Sequence, residues 1–135
     1  MNSPIEMEQA QKLAEKLSAR TQEGKISWNV GDGSILDEAS YSVQLDSGLV
    51  AVIAKQLRGK SSDIALSLKE KSGIHESKEI LKVTLEIDPP YGFDTSAERK
   101  TASQFADLFE YARRSALKYD KKVDRALDYL DKLAV

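Results

Sequence analysis

Leu17-Ser18-Ala19-Arg20-Thr21-Gln22-Glu23-Gly24-Lys25-Ile26-Ser27-Trp28-Asn29-Val30 is the segment in which the apolar period of the chain changes from that of a helix to that of a strand. Upstream of it, Met7, Ala10, Leu13, Ala14 and Leu17 recur at helical spacing. Ser3-Pro4-Ile5-Glu6 offers an N-cap, a proline at the first helical position and the glutamate of a capping box. The spacing predicts a helix from Pro4 to Gln22, stopped by Gly24 in a left-handed conformation. Downstream, Ile26, Trp28 and Val30 alternate with polar residues and predict a strand.

The alternation then repeats. Tyr41, Val43 and Leu45 predict a second strand, and Asp46-Ser47-Gly48 a tight turn into Leu49–Leu57. That run is apolar on both faces at its start, which predicts a central strand covered on two sides. Arg58-Gly59-Lys60-Ser61-Ser62 is a polar turn; Ile64, Leu66 and Leu68, then Leu81, Val83, Leu85 and Ile87, mark two more strands. Short connections imply antiparallel neighbours, because parallel ones need long crossovers.

Asp88-Pro89-Pro90-Tyr91-Gly92-Phe93-Asp94 ends the sheet, since proline cannot donate a ladder hydrogen bond. Thr95 and Glu98 form a second capping-box pair ahead of Ala102, Phe105, Ala106, Phe109, Ala112 and Ala116, the apolar stripe of another helix. The period falters at Lys118-Tyr119, where Asp120 is placed to cap a third helix or the second one bends. The fold class is therefore α+β in a single domain, residues 1–135. It comprises an N-terminal helix, an antiparallel meander of about five strands, and two C-terminal helices, or one bent helix, packed on one face of the sheet.

With 135 residues, 41% of them hydrophobic and 31% charged, the chain has the composition of a folded globular domain. Its 20 basic and 22 acidic residues give a net charge of −2, with no segment strongly of one sign, which speaks against sequence-independent nucleic-acid binding. Cysteine is absent, so disulfides, thiolate metal sites and cysteine nucleophiles are excluded. The first residues lack a secretory pattern and the longest apolar run, Leu49–Ala54, is too short for a bilayer, so a cytoplasmic protein is expected.

No motif carries recognised chemistry. Gly31-Asp32-Gly33-Ser34 leads into another strand, not into the helix that a phosphate-cradling loop requires. His75 is the only histidine; with Glu76 and Ser77 beside it, sequence adjacency does not make a triad, and one histidine cannot build a zinc site. Asp120, Asp124, Asp128 and Asp131 recur at helical spacing, but Lys121, Lys122, Arg125 and Lys132 interleave with them as on a solvated face. We expect no catalytic residue, no metal and no cofactor. Arg20, Trp28, Tyr41, Tyr91 and Phe93 are the candidate ligand-binding residues. Arg113 to Arg125, with Tyr111 and Tyr119 among the basic residues, is the one candidate stretch for nucleic acid.

The last helix carries a surplus. Ala126, Tyr129 and Leu133 form a second stripe beside Val123, Leu127, Leu130 and Ala134, an arc wider than one sheet contact requires. Val123, Ala126, Leu127, Tyr129, Leu130 and Leu133 are the candidate interface. The arc implies either that both C-terminal helices pack together on the sheet or that another chain is met there.

The corner Leu17-x-x-Arg20-Thr21-x-x-Gly24-x-Ile26-x-Trp28 resembles that of a group of small bacterial and phage proteins in which a first helix runs into the same pattern. Some of them also carry a segment similar to Leu108-Phe109-Glu110-Tyr111-Ala112-Arg113-Arg114-Ser115-Ala116. Their glycine near the helix break is replaced here by Lys118-Tyr119. The resemblance implies a similar architecture and a bacterial or phage origin, and no activity. The expectation for function is thus a non-enzymatic interaction module, of adaptor, inhibitor or immunity type, pairing with itself as a homodimer or with another protein. Small-ligand binding is the alternative, followed by nucleic-acid binding, with an enzyme last and no membrane role.

Overall fold

Helix α1 (Pro4–Gln22) begins and ends where local groups satisfy its free backbone atoms. In this computed structural model, which describes residues 3–31, 37–46, 48–58, 61–71, 77–89 and 91–133, the Glu6 amide donates to Ser3 Oγ at 3.1 Å. At the other end Gly24 has φ +74°, the Gly24 amide donates to the Thr21 carbonyl and the Lys25 amide to the Arg20 carbonyl. That paired closure is the Schellman stop anticipated for Gly24.

Five strands follow as an antiparallel meander in the order β1-β2-β3-β4-β5: β1 (Asn29–Val30), β2 (Asp37–Gln44), β3 (Leu49–Arg58), β4 (Ser61–Lys71) and β5 (Ser77–Glu86). The strand expected from Ile26 to Val30 is reduced to Asn29 and Val30, because the Trp28 amide donates to Ser115 Oγ at 3.0 Å instead of to a neighbouring strand. The Gly31 amide closes the β1–β2 pair on the Ser40 carbonyl at 2.9 Å, and a Cβ at position 31 would lie 2.5 Å from Ser40 Oγ.

Register sorts the sheet into two faces. Tyr41, Ile53, Leu66 and Val83 lie opposite one another across four strands, as do Val43, Ala51, Leu68 and Leu81. Onto this face pack Ala10, Ala14 and Leu17 of α1 and Ala102, Phe105, Leu108 and Ala112 of α2 (Ser96–Ala116), forming one core cluster. Burial of each large member, Phe105, Ile53, Leu66 or Leu108, contributes about 1.5–3 kcal/mol. Thr101 is fully buried between the helices; its hydroxyl donates to the Ala97 carbonyl at 2.8 Å and accepts from Gln11 Nε2 of α1.

The opposite face carries Ser42, Val52, Ser67 and Lys82 in register. No described helix packs on it, and Val50, Val52 and Ala54 are only half-buried. The expectation that β3 is covered on both sides is corrected accordingly. Small side chains such as Val and Ala between short neighbours like Ser42 and Ser67 need no second layer.

Thr95 caps α2, accepting from the Glu98 amide at 3.0 Å. The helix ends at Leu117, and Lys118 takes φ +56°, the one non-glycine residue with positive φ among the described residues. Helix α3 (Tyr119–Leu133) starts directly after it. Of the two C-terminal helices, α2 lies on the sheet, whereas α3 contributes nothing to the core and makes its contacts with the end of α2.

Candidate functional site

The α2–α3 elbow is held by side chains that converge on Tyr119. Arg113 Nη2 donates to the Tyr119 hydroxyl at 2.9 Å, and the Arg113 and Arg114 guanidinium carbons lie 5.3 and 5.7 Å from its ring centre. Arg114 Nη2 also bonds the Asp120 carboxylate at 2.8 Å, so Asp120 clamps the elbow from the first turn of α3. The hydrogen bond to Tyr119, then the nearby Tyr119 and Glu110 charges, push the Arg113 pKa further up. These contacts offset the cost of a lysine in the left-handed region, about 1–2 kcal/mol.

Beyond the elbow every side chain from Asp120 to Leu133 is exposed. Val123, Leu127, Tyr129, Leu130 and Leu133 are 51–63% accessible, an unusual state for a set of large apolar residues on one helix face. The candidate interface, these five together with Ala126, is therefore gathered on one face and left open by the other described elements. Of the two outcomes the arc implied, packing with α2 on the sheet does not occur. The clamp on Tyr119 has a signal in the sequence, two consecutive arginines one and a half turns before a tyrosine, that periodicity does not weigh.

The candidate ligand residues occupy separate places. Trp28 is buried; its Nε1–H donates to Thr21 Oγ1 at 2.8 Å, and Thr21 in turn donates to the Leu17 carbonyl at 2.6 Å. Arg20 is on the surface, bonded to Glu23 Oε2 at 2.8 Å, and this bond lowers the Glu23 pKa. Tyr41 is in the core with its ring 5.4 Å from that of Phe109, and burial raises its pKa. Tyr91 is fully exposed, and Phe93 lines a shallow cleft beside Arg99 at the start of α2. An open groove of about 830 Å³ runs along Trp28 between the Gly24 corner and the elbow, bordered by Tyr111, Arg114 and Lys118. Of the five, the groove takes only Trp28.

The basic stretch Arg113–Arg125 is partly spent on the elbow, because Arg113 is bonded to Tyr119 and Glu110, and Arg114 to Asp120. His75 and Glu76 lie outside the described residues, as do Asp32, Gly33 and Ser34. Among the described residues no group of three or more His, Cys, Asp or Glu is placed to hold a metal ion, and no helix is long and apolar enough to cross a membrane. Searches for similar proteins, against family models, curated proteins and solved structures, find no match for this chain.

Proposed function

We propose that this chain is a non-enzymatic protein-interaction module, in which α1, the sheet and α2 form a folded platform and α3 is the element that docks. The observation that carries this reading is the contrast between two helices of one chain. Ala102, Phe105, Leu108 and Ala112 of α2 are buried, whereas Val123, Leu127, Tyr129, Leu130 and Leu133 of α3 are all open to water. Leaving five large apolar side chains exposed is unfavourable unless a partner covers them. The elbow supports the same reading, because it fixes how α3 is presented and so reduces the ordering cost of binding.

A protein partner fits better than a lipid surface. Helices that lie on membranes typically carry a lysine- and arginine-rich polar face. In α3 the four basic residues Lys121, Lys122, Arg125 and Lys132 are matched by Asp120, Asp124, Asp128 and Asp131. That balance gives no net attraction to anionic lipid.

The test is the double substitution Leu127→Ser/Leu130→Ser beside Leu108→Ala. The α3 pair is expected to leave the denaturant midpoint of the isolated chain nearly unchanged, while Leu108→Ala costs about 2–5 kcal/mol. The same pair should abolish association, whether of the chain with itself or with a protein captured from its source cells. Equal destabilisation by both changes, or association untouched by the α3 pair, would overturn the reading.

A second reading rests on the groove along Trp28: a small anionic ligand held near Lys118 and Lys121. Trp28 is the only tryptophan, so its fluorescence reports that groove directly. Spectra unmoved by a panel of carboxylated and phosphorylated metabolites would set this reading aside.

A further inference from the structure

Between Val123 and Leu133, charge and apolarity on α3 are fully segregated. Written as a heptad with Val123 at position a, the residues at a, d, e and g are Val123, Ala126, Leu127, Tyr129, Leu130 and Leu133, all apolar. Those at b, c and f are Asp124, Arg125, Asp128, Asp131 and Lys132, all charged. At 100° per residue the apolar arc spans roughly 160°, wider than the ~100° stripe that covers a single flat contact. Such a pattern is what helix-to-helix packing through a seam requires.

Resting on the reading of α3 as the docking element, we propose that its occupant is a second copy of this chain, with the two α3 helices packed antiparallel about a two-fold axis beside Asp128. Three features single out this partner. The first is size complementarity along the seam. Antiparallel pairing sets Val123 opposite Leu133 of the other copy and Ala126 opposite Leu130, small against large, which fills the interhelical space. Parallel pairing would set Ala126 against Ala126 and leave a gap between the leucines on either side.

The second is closure at the axis. Leu127 and Tyr129 flank Asp128, so the two-fold brings Leu127 against its own copy on one side and Tyr129 against its own copy on the other. A two-fold interface requires this self-complementarity. Across the whole of α3 four acidic residues are balanced by four basic ones, so net charge adds no repulsion between copies, and antiparallel helix dipoles attract.

The third is area. Exposures of 51–63% on five large side chains amount to about 500 Å² of apolar surface per chain, in the range of the largest patches on monomers. Complete coverage in two copies would bury at most about 1,000 Å², the lower bound for a specific interface.

The test uses the full chain, whose lack of cysteine makes introduced thiols unambiguous. Sedimentation is expected to show a concentration-dependent dimer. Leu127→Lys/Leu130→Lys should raise its dissociation constant more than about 100-fold, as expected for charging two buried leucines per chain. Under mild oxidation Leu127→Cys should cross-link to itself, and Val123→Cys should cross-link to Leu133→Cys when the two are mixed, whereas Leu133→Cys alone and the outward-facing Asp124→Cys should not.

Self-cross-linking of Leu133→Cys would overturn the antiparallel arrangement. A strict monomer at high concentration would overturn self-pairing altogether. If such a monomer still captures another protein through Leu127 and Leu130, the docking role of α3 stands while the second copy falls. If the monomer instead binds vesicles containing anionic lipid, both fall.

Discussion

Thr21→Val tests whether the corner between α1 and the sheet is held by a hydrogen bond or by packing alone. The substitution is nearly isosteric and removes one hydroxyl. In the native chain that hydroxyl accepts from Trp28 Nε1–H at 2.8 Å and donates to the Leu17 carbonyl at 2.6 Å. Trp28 is 3% exposed, so its indole N–H is largely shielded from water although Thr21 borders the open groove. An orphaned buried donor costs about 1–3 kcal/mol, whereas losing the bond to Leu17 adds little because that carbonyl also serves the helix ladder. The expected loss for Thr21→Val is therefore about 1–3 kcal/mol, roughly 4–12 °C in melting temperature for a domain of this size. Thr21→Ser, which keeps the hydroxyl, should stay within about 1 kcal/mol. Denaturant unfolding of these two variants, of Trp28→Phe and of Trp28→Phe/Thr21→Val completes a double-mutant cycle. Once the indole donor is gone, Thr21→Val should cost less than about 0.5 kcal/mol. An undiminished cost in the Trp28→Phe background would refute the account of the corner.

Two further outcomes follow from the elbow and the core. Lys118 is left-handed at φ +56°, so Lys118→Gly should raise stability by up to about 1 kcal/mol and preserve self-association, while Lys118→Val, β-branched and disfavoured there, should lower both. Destabilisation by the glycine variant, read in the same unfolding assay, would contradict the bend. Burial raises the Tyr41 pKa, so its neutral phenol contributes stability that is fully present below about pH 10 and is lost as pH rises through the higher folded value. Tyr41→Phe keeps the ring against Phe109 and should flatten that alkaline limb; midpoints measured from pH 8 to 11 that fall equally steeply for both proteins would reject the assignment.

What could be read from the residues was whatever rested on local chemistry. Ser3, Gly24 and Thr95 act within three or four positions of themselves, so the bounds of α1 and the start of α2 were accessible without tertiary knowledge. The meander was equally accessible, because alternation and short turns leave little choice of topology. The extent of β1 was not, since it depends on Ser115, distant in sequence, taking the Trp28 amide. The second face of the sheet misled for a related reason: periodicity registers Val52 and Ala54 as apolar without registering how little of them needs covering. Candidate ligand residues chosen by type, such as Tyr41 and Tyr91, came to lie in the core and in full solvent respectively, a difference no composition argument reaches.

The stripe on α3 marks the boundary between these two kinds of information. An amphipathic period states that a face is to be buried and says nothing of the surface that buries it. In α2 the complement is on the same chain: a sheet face bearing Ile53, Leu66 and Val83 that receives Phe105 and Leu108. After the elbow no described surface of the chain receives that stripe. The apolar side chains on the helix-facing side of the sheet are in the core, and the other side, with Val50, Val52 and Ala54 half-buried among Ser42 and Lys82, receives no described helix. Arg113 and Arg114 grip Tyr119, and Arg114 also holds Asp120, so α3 is not simply a frayed end. A helix held in place with its apolar face uncovered is stable in water only at a solvation cost that association removes. The α3 side chains that the core does not use are therefore the ones on which the proposed association rests.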